Sequence, residues 1–319
     1  MDLETLGALT RNDLLLARDA RAHGLAAHLR HAADRGEFVR IRRGAYVDTG
    51  TWHELGVEDR HALVVRAVHA TRERPVVFSH WSAAVVWGLP VVGGRLGSVH
   101  VTEDTADGGR SGNGVVRHPG LERLTPAAHQ GVAVTNVVDT VIDIASTSPF
   151  GAAVAVADAA LHVPRNGSAM CSREELEHGL ERVRGRKGEG RAFGVVRFAD
   201  GRAESPGESS SRANIHLGGF VMPDLQHAFF DAAGLIGYAD FFWESIRLAG
   251  EFDGVGKYLK EHYLHGRSTA DAVLAEKRRE DRLRALGLSV VRWDWNAAIH
   301  PEQLYRQLAA ANVPRRARR

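Results

Sequence analysis

Residues 235–254 read LIGYADFFWESIRLAGEFDG, and the placing of three acids in this stretch decides how the C-terminal third folds. Leu235 to Trp243 is rich in aromatic and aliphatic side chains, as is Gln226 to Phe230 before it. Asp231-Ala232-Ala233-Gly234 between them has the composition of a hairpin turn. Asp240 stands among Tyr238, Phe241, Phe242 and Trp243, where a carboxylate needs a cation or hydrogen-bond donors to offset its burial. In the following strand, Ile246 to Asp253, a period of two puts Glu251 and Asp253 on one face with Ala249. Leu248, Gly250 and Phe252 fall on the other face. Gly254 then turns the chain and Lys257 follows. Should the two strands pair side by side, three carboxylates converge, an oxygen-rich set suited to Mg²⁺ or Mn²⁺ and to phosphodiester chemistry.

Working outward, Ser205-Pro206-Gly207-Glu208 combines a capping hydroxyl, a first-turn proline and an acid at the third helical position, so Glu208 is first of all a cap. Downstream, residues 270–286 form a helix carrying Glu276-Lys277-Arg278-Arg279-Glu280-Asp281. Its charges form i,i+4 pairs such as Lys277 with Asp281 and Glu280 with Arg284, and Lys277 and Arg278 are also able to grip phosphate. Gly287 ends it before a strand over 288–293.

Helix with Glu, strand with Asp, strand with Glu-x-Asp, then a basic helix is an order that resembles the PD-(D/E)xK nuclease fold. Tyr238-Ala239-Asp240-Phe241, Gly250-Glu251-Phe252-Asp253-Gly254 and Glu276 to Asp281, with Leu286-Gly287 and Val290-Val291-Arg292, are similar to the very-short-patch-repair-like endonuclease domains over about residues 203–300. The resemblance implies Asp240 and Glu251 as metal ligands, Asp253 as an accessory acid and Glu208 as the helix acid reaching the site. It also implies a lysine two positions after Glu251, where this chain has Asp253; Lys257 or Lys277 then has to supply the positive charge.

Near the N-terminus, Thr10-Arg11-Asn12-Asp13 reads as a cap for a helix over 10–22 that Gly24 breaks. Leu25, Leu29 and Ala32/Ala33 recur at helical spacing over 25–34, with His28, Arg30, His31 and Arg35 on the other side. Phe38 to Val47 alternates apolar and basic residues around Gly44, as a two-stranded ribbon does. Helix, turn, helix and basic hairpin is the order of a winged helix. Residues 21–45 hold six arginines against Asp34 and Glu37, so His28, Arg30, Arg35, Arg40, Arg42 and Arg43 are the candidate DNA contacts.

Thr10-Arg11, Arg35 to Val47, Ser79-His80-Trp81-Ser82-Ala83-Ala84 with Gly88-Leu89-Pro90, Val99-His100-Val101-Thr102 and Gly131 to Thr135 together resemble the N-terminal half of AbiEi-type antitoxins of type IV toxin–antitoxin systems, over roughly residues 5–160. That likeness implies a winged helix, a following α/β region and a cognate toxin as partner. Residues 76–92, with Trp81 and Trp87, read as a buried helix ended by Gly88 and Pro90, and His80 and His100 as satisfied core histidines. Thr105 to Gly114 reads as a hairpin loop, Ser172 caps a helix to about Arg184, and the Gly/Arg-rich run 185–191 is the clearest boundary. His262 and His265 lack a third ligand at evident spacing, and the Arg315–Arg319 tail is expected to fray.

The chain has 319 residues, 44% hydrophobic and 25% charged, which excludes disorder and a disulfide-built miniprotein and calls for more than one domain. Its net charge of +2 is uninformative, and only Lys187, Lys257, Lys260 and Lys277 are lysines among 41 basic residues, as a GC-rich coding sequence produces. A single cysteine, Cys171, and the lack of a signal-like start or a long apolar run predict a cytoplasmic protein without membrane contact. No nucleophile elbow, zinc-protease helix or phosphate-cradling glycine loop is present.

The expected fold is α/β (α+β): a winged helix over 1–50, an α/β middle region over 51–170, a helical linker over 171–202 and a PD-(D/E)xK-like mixed sheet over 203–319. Two functions are in play. The first is a DNA-binding protein with a metal-dependent endonuclease domain. The second is a non-enzymatic, antitoxin-like regulator that keeps the nuclease fold as a scaffold.

Overall fold

A computed structural model describes residues 2–93, 96–104, 112–121, 124–254 and 269–317. The chain is a mixed α+β protein that divides into two compact units, Met1–Ser146 with His178–Lys187, and Thr147–Glu177 with Gly188–Arg319. One crossing between the units falls at Lys187/Gly188, inside the Gly/Arg-rich run.

The first unit opens with α1 (Asp2–Ala8), β1 (Leu15–Leu16), α2 (Ala17–Ala22), α3 (Ala26–Asp34), β2 (Phe38–Arg42) and β3 (Ala45–Asp48). The strands form an antiparallel sheet in the order β1-β3-β2, and the element order is that of a winged helix. Leu6, Leu15, Ala20, Leu29, Ala32 and Phe38 make its core.

The helix expected over 10–22 is corrected here. Asn12 and Asp13 adopt positive φ, and Leu15 pairs with Tyr46 as a strand, so the helix starts only at Ala17. Leu14 and Leu15 are both buried in different core clusters, and extended backbone points successive side chains to opposite sides, one toward each. Tertiary burial overrode the capping signal at Thr10.

Helices α4 (Thr49–Glu54) and α5 (Val57–Thr71) lead into a five-stranded mixed sheet. Its members are β4 (Val77–Phe78), β5 (Val99–Glu103), β6 (Val115–Pro119), β7 (Pro126–His129) and β8 (Val132–Thr135), in the order β6-β5-β4-β8-β7. Between β4 and β5, α6 (His80–Trp87) is the buried helix expected within 76–92, shorter than that span because Val77–Phe78 is strand, and it stops at Gly88, whose left-handed φ of +72° supplies the C-cap. Strands β5 and β6 run parallel, with Val99 opposite Val115, so the segment joining them is no hairpin; residues 105–111 lie outside the described residues. Helix α7 (Val137–Thr147) ends the run. Arg182, in the returning segment, pairs with its buried Asp139 at 2.8 Å and Asp143 at 2.7 Å.

The second unit begins with α8 (Phe150–Leu161), α9 (Arg173–Gly179), α10 (Glu189–Phe198) and α11 (Pro206–Leu217). Ser172 and Glu175 form a reciprocal capping box at the start of α9. Asp158 of α8 takes two bonds from Arg212 of α11, at 2.8 and 2.9 Å, and a third from the Asp200 backbone N–H. A buried pair so fully bonded ties the two helices together.

Strands β9 (Asp224–Asp231), β10 (Gly234–Trp243), β11 (Leu248–Asp253) and β12 (Ser289–Asp294) form one sheet ordered β12-β11-β10-β9, antiparallel except for the β11/β12 pair. Between β11 and β12 runs α12 (Thr269–Ala285), and α13 (Trp295–Ile299) and α14 (Pro301–Ala310) close the chain. One face of the sheet, with Phe241, Trp243, Leu248, Phe252 and Trp293, packs on residues of α11, α13 and α14. The other, with Phe242 and Ala249, packs on Leu283 of α12. The expected alternation along 246–253 holds from Leu248 onward, because Glu244–Ile246 forms a 3-10 turn instead of strand.

At Arg315 and Arg316 the tail departs from expectation, residues 318 and 319 lying outside the described residues. Arg315 bridges Phe220, lies 4.2 Å over its ring and donates to the Gly218 carbonyl, and Arg316 donates to the carbonyls of Gly219 and His216. Aromatic and backbone acceptors hold guanidinium groups that would otherwise be solvated.

Candidate functional site

On the winged helix, His28 and Arg30 of α3 and Arg40 and Arg43 of the β2–β3 ribbon are exposed. Arg35 is bound at both ends of its fork by Glu37, at 2.7 and 2.9 Å. Arg42 turns inward to the Thr71 hydroxyl at 3.0 Å and the Asn113 carbonyl at 3.3 Å. Arg35 stays exposed beside its partner acid, whereas Arg42 is half-buried and aimed at the chain itself.

In the second unit, Phe241 pairs with Gly250, and continuing that register by one residue puts Asp240 opposite Glu251. Glu251 in turn pairs with Arg292 on β12, and Gln226 precedes His227, the partner of Ala239, on β9. Four strands therefore present Gln226, Asp240, Glu251 and Arg292 in one transverse row. β10–β11 pairing ends at Phe241/Gly250. Beyond it, Asp240 accepts the Phe252 N–H at 2.8 Å.

Glu208 enters the row through Gln226, which donates to Glu208 at 3.0 Å and to Asp240 at 3.4 Å. The same carboxylate closes the capping box: Ser205 Oγ donates to it at 2.7 Å and accepts the Glu208 N–H at 3.2 Å. Capping and reaching the acids are thus two uses of one side chain. Helix α11 can come this close because its second residue is Gly207; a Cβ there would stand 2.0 Å from the Phe252 ring. No sequence signal singled out Gln226, whose positive φ of +51° and bridging role exist only in the folded chain.

Burial, reinforced by the neighbouring Asp240 charge, pushes the Glu251 carboxyl up to about 7, against the opposing pull of Arg279. Arg279 of α12 lies 3.1 Å from Glu251. Arg292 lies 3.3 Å from Asp253 and 3.2 Å from Glu280. Among the described residues, the cation against Glu251 is thus an arginine; Lys277 and Arg278 are exposed on α12, and Lys257, His262 and His265 lie outside the described residues. The donor set of Asp240 and Glu251 is all oxygen and buried, which fits Mg²⁺ or Mn²⁺ in chemistry, with Arg279 as a competitor for one carboxylate.

A second cluster lies in the first unit. His80, the first residue of α6, stacks on His118 of β6 with ring centroids 3.7 Å apart, and His100 of β5 stands 2.9 Å from His118, Nδ1 to Nε2. His100 pairs with Val116 and Thr102 with His118, so both histidines project from the same face of the sheet. Behind His80 Nδ1 lie the Ser79 hydroxyl at 3.0 Å and Asp143 at 3.5 Å. Burial is the main cause pushing His80 down to about 3 and His100 and His118 to about 4. His61 has both ring nitrogens bonded, to the Leu96 carbonyl at 3.1 Å and the Ser82 hydroxyl at 2.9 Å. Sequence reasoning weighed His80 and His100 but not His118, because nothing in the spacing indicates that β5 and β6 run parallel.

A comparison with known protein families finds no match. The chain is similar to two proteins of Mycobacterium tuberculosis, Uncharacterized protein MT2308 (strain CDC 1551 / Oshkosh) and Uncharacterized protein Rv2248 (strain ATCC 25618 / H37Rv). Each is 32% identical over 152 residues, which is 48% of this chain and 51% of the relative. The chain thus spans about half the length of the curated relatives it matches. A solved structure, the crystal structure of RV2827C protein from Mycobacterium tuberculosis, is similar at a TM-score of 0.41 and 18% identity, over 71% of this chain and 87% of that one. Among the described residues no helix is long and apolar enough to cross a membrane.

Proposed function

We propose that this chain is a DNA-binding protein whose second unit is a divalent-metal-dependent phosphodiesterase acting on DNA. The observation that carries the reading is that Gln226 links Glu208 to Asp240, with Glu251 next in line where the β10–β11 register is continued past Phe241/Gly250. Asp240 and Glu251 would hold Mg²⁺ or Mn²⁺, and the ion would activate water and stabilise the leaving oxygen. The chain's own residues do the rest. Gln226 and the Phe252 N–H fix the two oxygens of Asp240. Arg279 and Arg292 supply positive charge beside the acids, where a phosphate is attracted. His28, Arg30, Arg40 and Arg43 are the proposed groove and phosphate contacts of the winged helix, with Lys277 and Arg278 as further phosphate contacts.

One observation favours the second reading, a non-enzymatic regulator with a toxin protein as partner: an arginine on Glu251 and another on Asp253 hold the acids in ion pairs, as in a nuclease fold kept for its shape. A cytoplasmic setting is part of both readings and fits a lone buried thiol, Cys171, pushed up to about 11 by burial.

The deciding experiment is cleavage of plasmid and short duplex DNA with Mg²⁺ or Mn²⁺ by the wild type, Asp240→Ala and Glu251→Ala, with folding checked by circular dichroism. Cleavage lost in both folded variants supports the phosphodiesterase. Salt-sensitive DNA binding without cleavage by the wild type overturns it in favour of the regulator.

A further inference from the structure

The histidine cluster of the first unit calls for its own explanation, since neither DNA contact nor the acidic row uses it. Three imidazoles from three separate elements, α6, β5 and β6, bring one nitrogen each within 4.8 Å of the others. With Zn–N bonds of about 2.0–2.1 Å, a tetrahedral site places its ligand nitrogens about 3.3 Å apart. The 2.9 Å between His100 and His118 and the 4.8 Å limit for the set bracket that edge, so small rotations of the rings close it.

Two further observations point the same way. His80 is a buried non-glycine residue held at a φ of +51°, a strained conformation that persists where the surroundings enforce it. That strain starts α6 with the imidazole turned into the cluster instead of continuing the strand. Its Nδ1 faces Ser79 and Asp143, and Asp143 is itself anchored by Arg182 at 2.7 Å. A carboxylate behind a ligating histidine fixes its tautomer and leaves the far nitrogen to bind.

We propose that His80, His100 and His118 form a binding site for a divalent transition metal of the Zn²⁺ class, with Asp143 as the positioning residue behind His80. Nitrogen donors select Zn²⁺, Co²⁺ or Ni²⁺ over Mg²⁺, which prefers oxygen. Three protein ligands leave one coordination position for water or a ligand. The site is separate in residues and in donor chemistry from the carboxylates of the second unit, and it stands whether or not those are active.

The test titrates the full chain, stripped with a chelator, with Co²⁺ alone and then Zn²⁺ alone, reading the visible ligand-field absorption. One equivalent of Co²⁺ is expected to give the intense band of a tetrahedral nitrogen-rich site, and Zn²⁺ to abolish it. His118→Ala and His100→Gln, both at half-buried positions, should lose the band with an unchanged circular dichroism spectrum. Asp143→Asn should weaken binding about 10–100-fold. Asp240→Ala should leave the band intact. Absence of the band in the folded wild type, or its persistence in both histidine variants, overturns the site. Should His80→Ala fail to fold, the His118 and His100 variants carry the test alone.

Discussion

The first unit buries a group of bases and the second a group of acids, and the two solve the same desolvation problem from opposite sides. His80, His100 and His118 are held well below the usual imidazole range, so they are neutral at neutral pH and need only a few polar partners. Glu251 is held up near 7, with Asp240 adding like charge and Arg279 opposing it, so it sits on the edge of ionisation. A cluster of neutral nitrogens is compatible with burial; a cluster of carboxylates requires cations in contact, and the structure provides arginines. In the second unit Glu251 and Asp253 are met by arginines, while Asp240 is held by the Gln226 amide and the Phe252 N–H.

Arg182 holds two buried acids of the first unit, Asp139 and Asp143. Arg182→Ala leaves Asp139 and Asp143 buried without it and is expected to destabilise by about 3–5 kcal/mol in urea denaturation. Retention of wild-type stability would show that the returning segment is not pinned by this pair.

Acid sharpens the contrast next. Histidines whose folded pKa lies near 3–4 against 6.5 bind protons more readily unfolded, so the stability they contribute is present above pH 6.5 and lost as pH falls toward 4. Glu251, near 7 folded against 4.5, binds its proton more tightly folded; stability is greatest below pH 4.5 and declines by about 3 kcal/mol as pH rises through 7. Between pH 4.5 and 6.5 the two effects therefore oppose each other, and Glu251→Gln should remove the Glu251 contribution and tilt the balance toward the histidines. Urea midpoints measured across this range in wild type and Glu251→Gln check the sign.

Smaller effects follow. Gly207→Ala forces a methyl into the Phe252 ring and should destabilise by about 1–3 kcal/mol, read as a shift in thermal midpoint. If the chain binds DNA as proposed, Arg40→Ala or Arg43→Ala should each lower the salt slope of that binding by about 1 and weaken affinity uniformly across sequences. Arg42→Ala, whose guanidinium is engaged with Thr71 and Asn113, should change that slope less.

Much of this was legible in the chain itself. Alternation along 248–253 put Glu251 with Ala249 and against Phe252, and the sheet faces follow it. Ser205 and Glu208 announced the cap that α11 uses, and Asp231 to Gly234 the hairpin. These signals are local: a period of two, a capping spacing, a turn composition. Thr10 shows where local signals fail, since its capping pattern lost to the burial of Leu14 and Leu15 in separate clusters. Arg42 and Arg35 show that a charge count does not say where a guanidinium points.

The sequence alone determined the α+β class, the second helix and the ribbon of the basic N-terminal module and the three acids of the C-terminal strands, because each depends on spacing within a few residues. Only the tertiary structure decided that Gln226 joins Glu208 to Asp240, that Arg279 meets Glu251 and that His118 completes a cluster with His80 and His100. Those contacts link residues 14 to 38 positions apart, and strand direction and register, which no local spacing encodes, set which side chains meet.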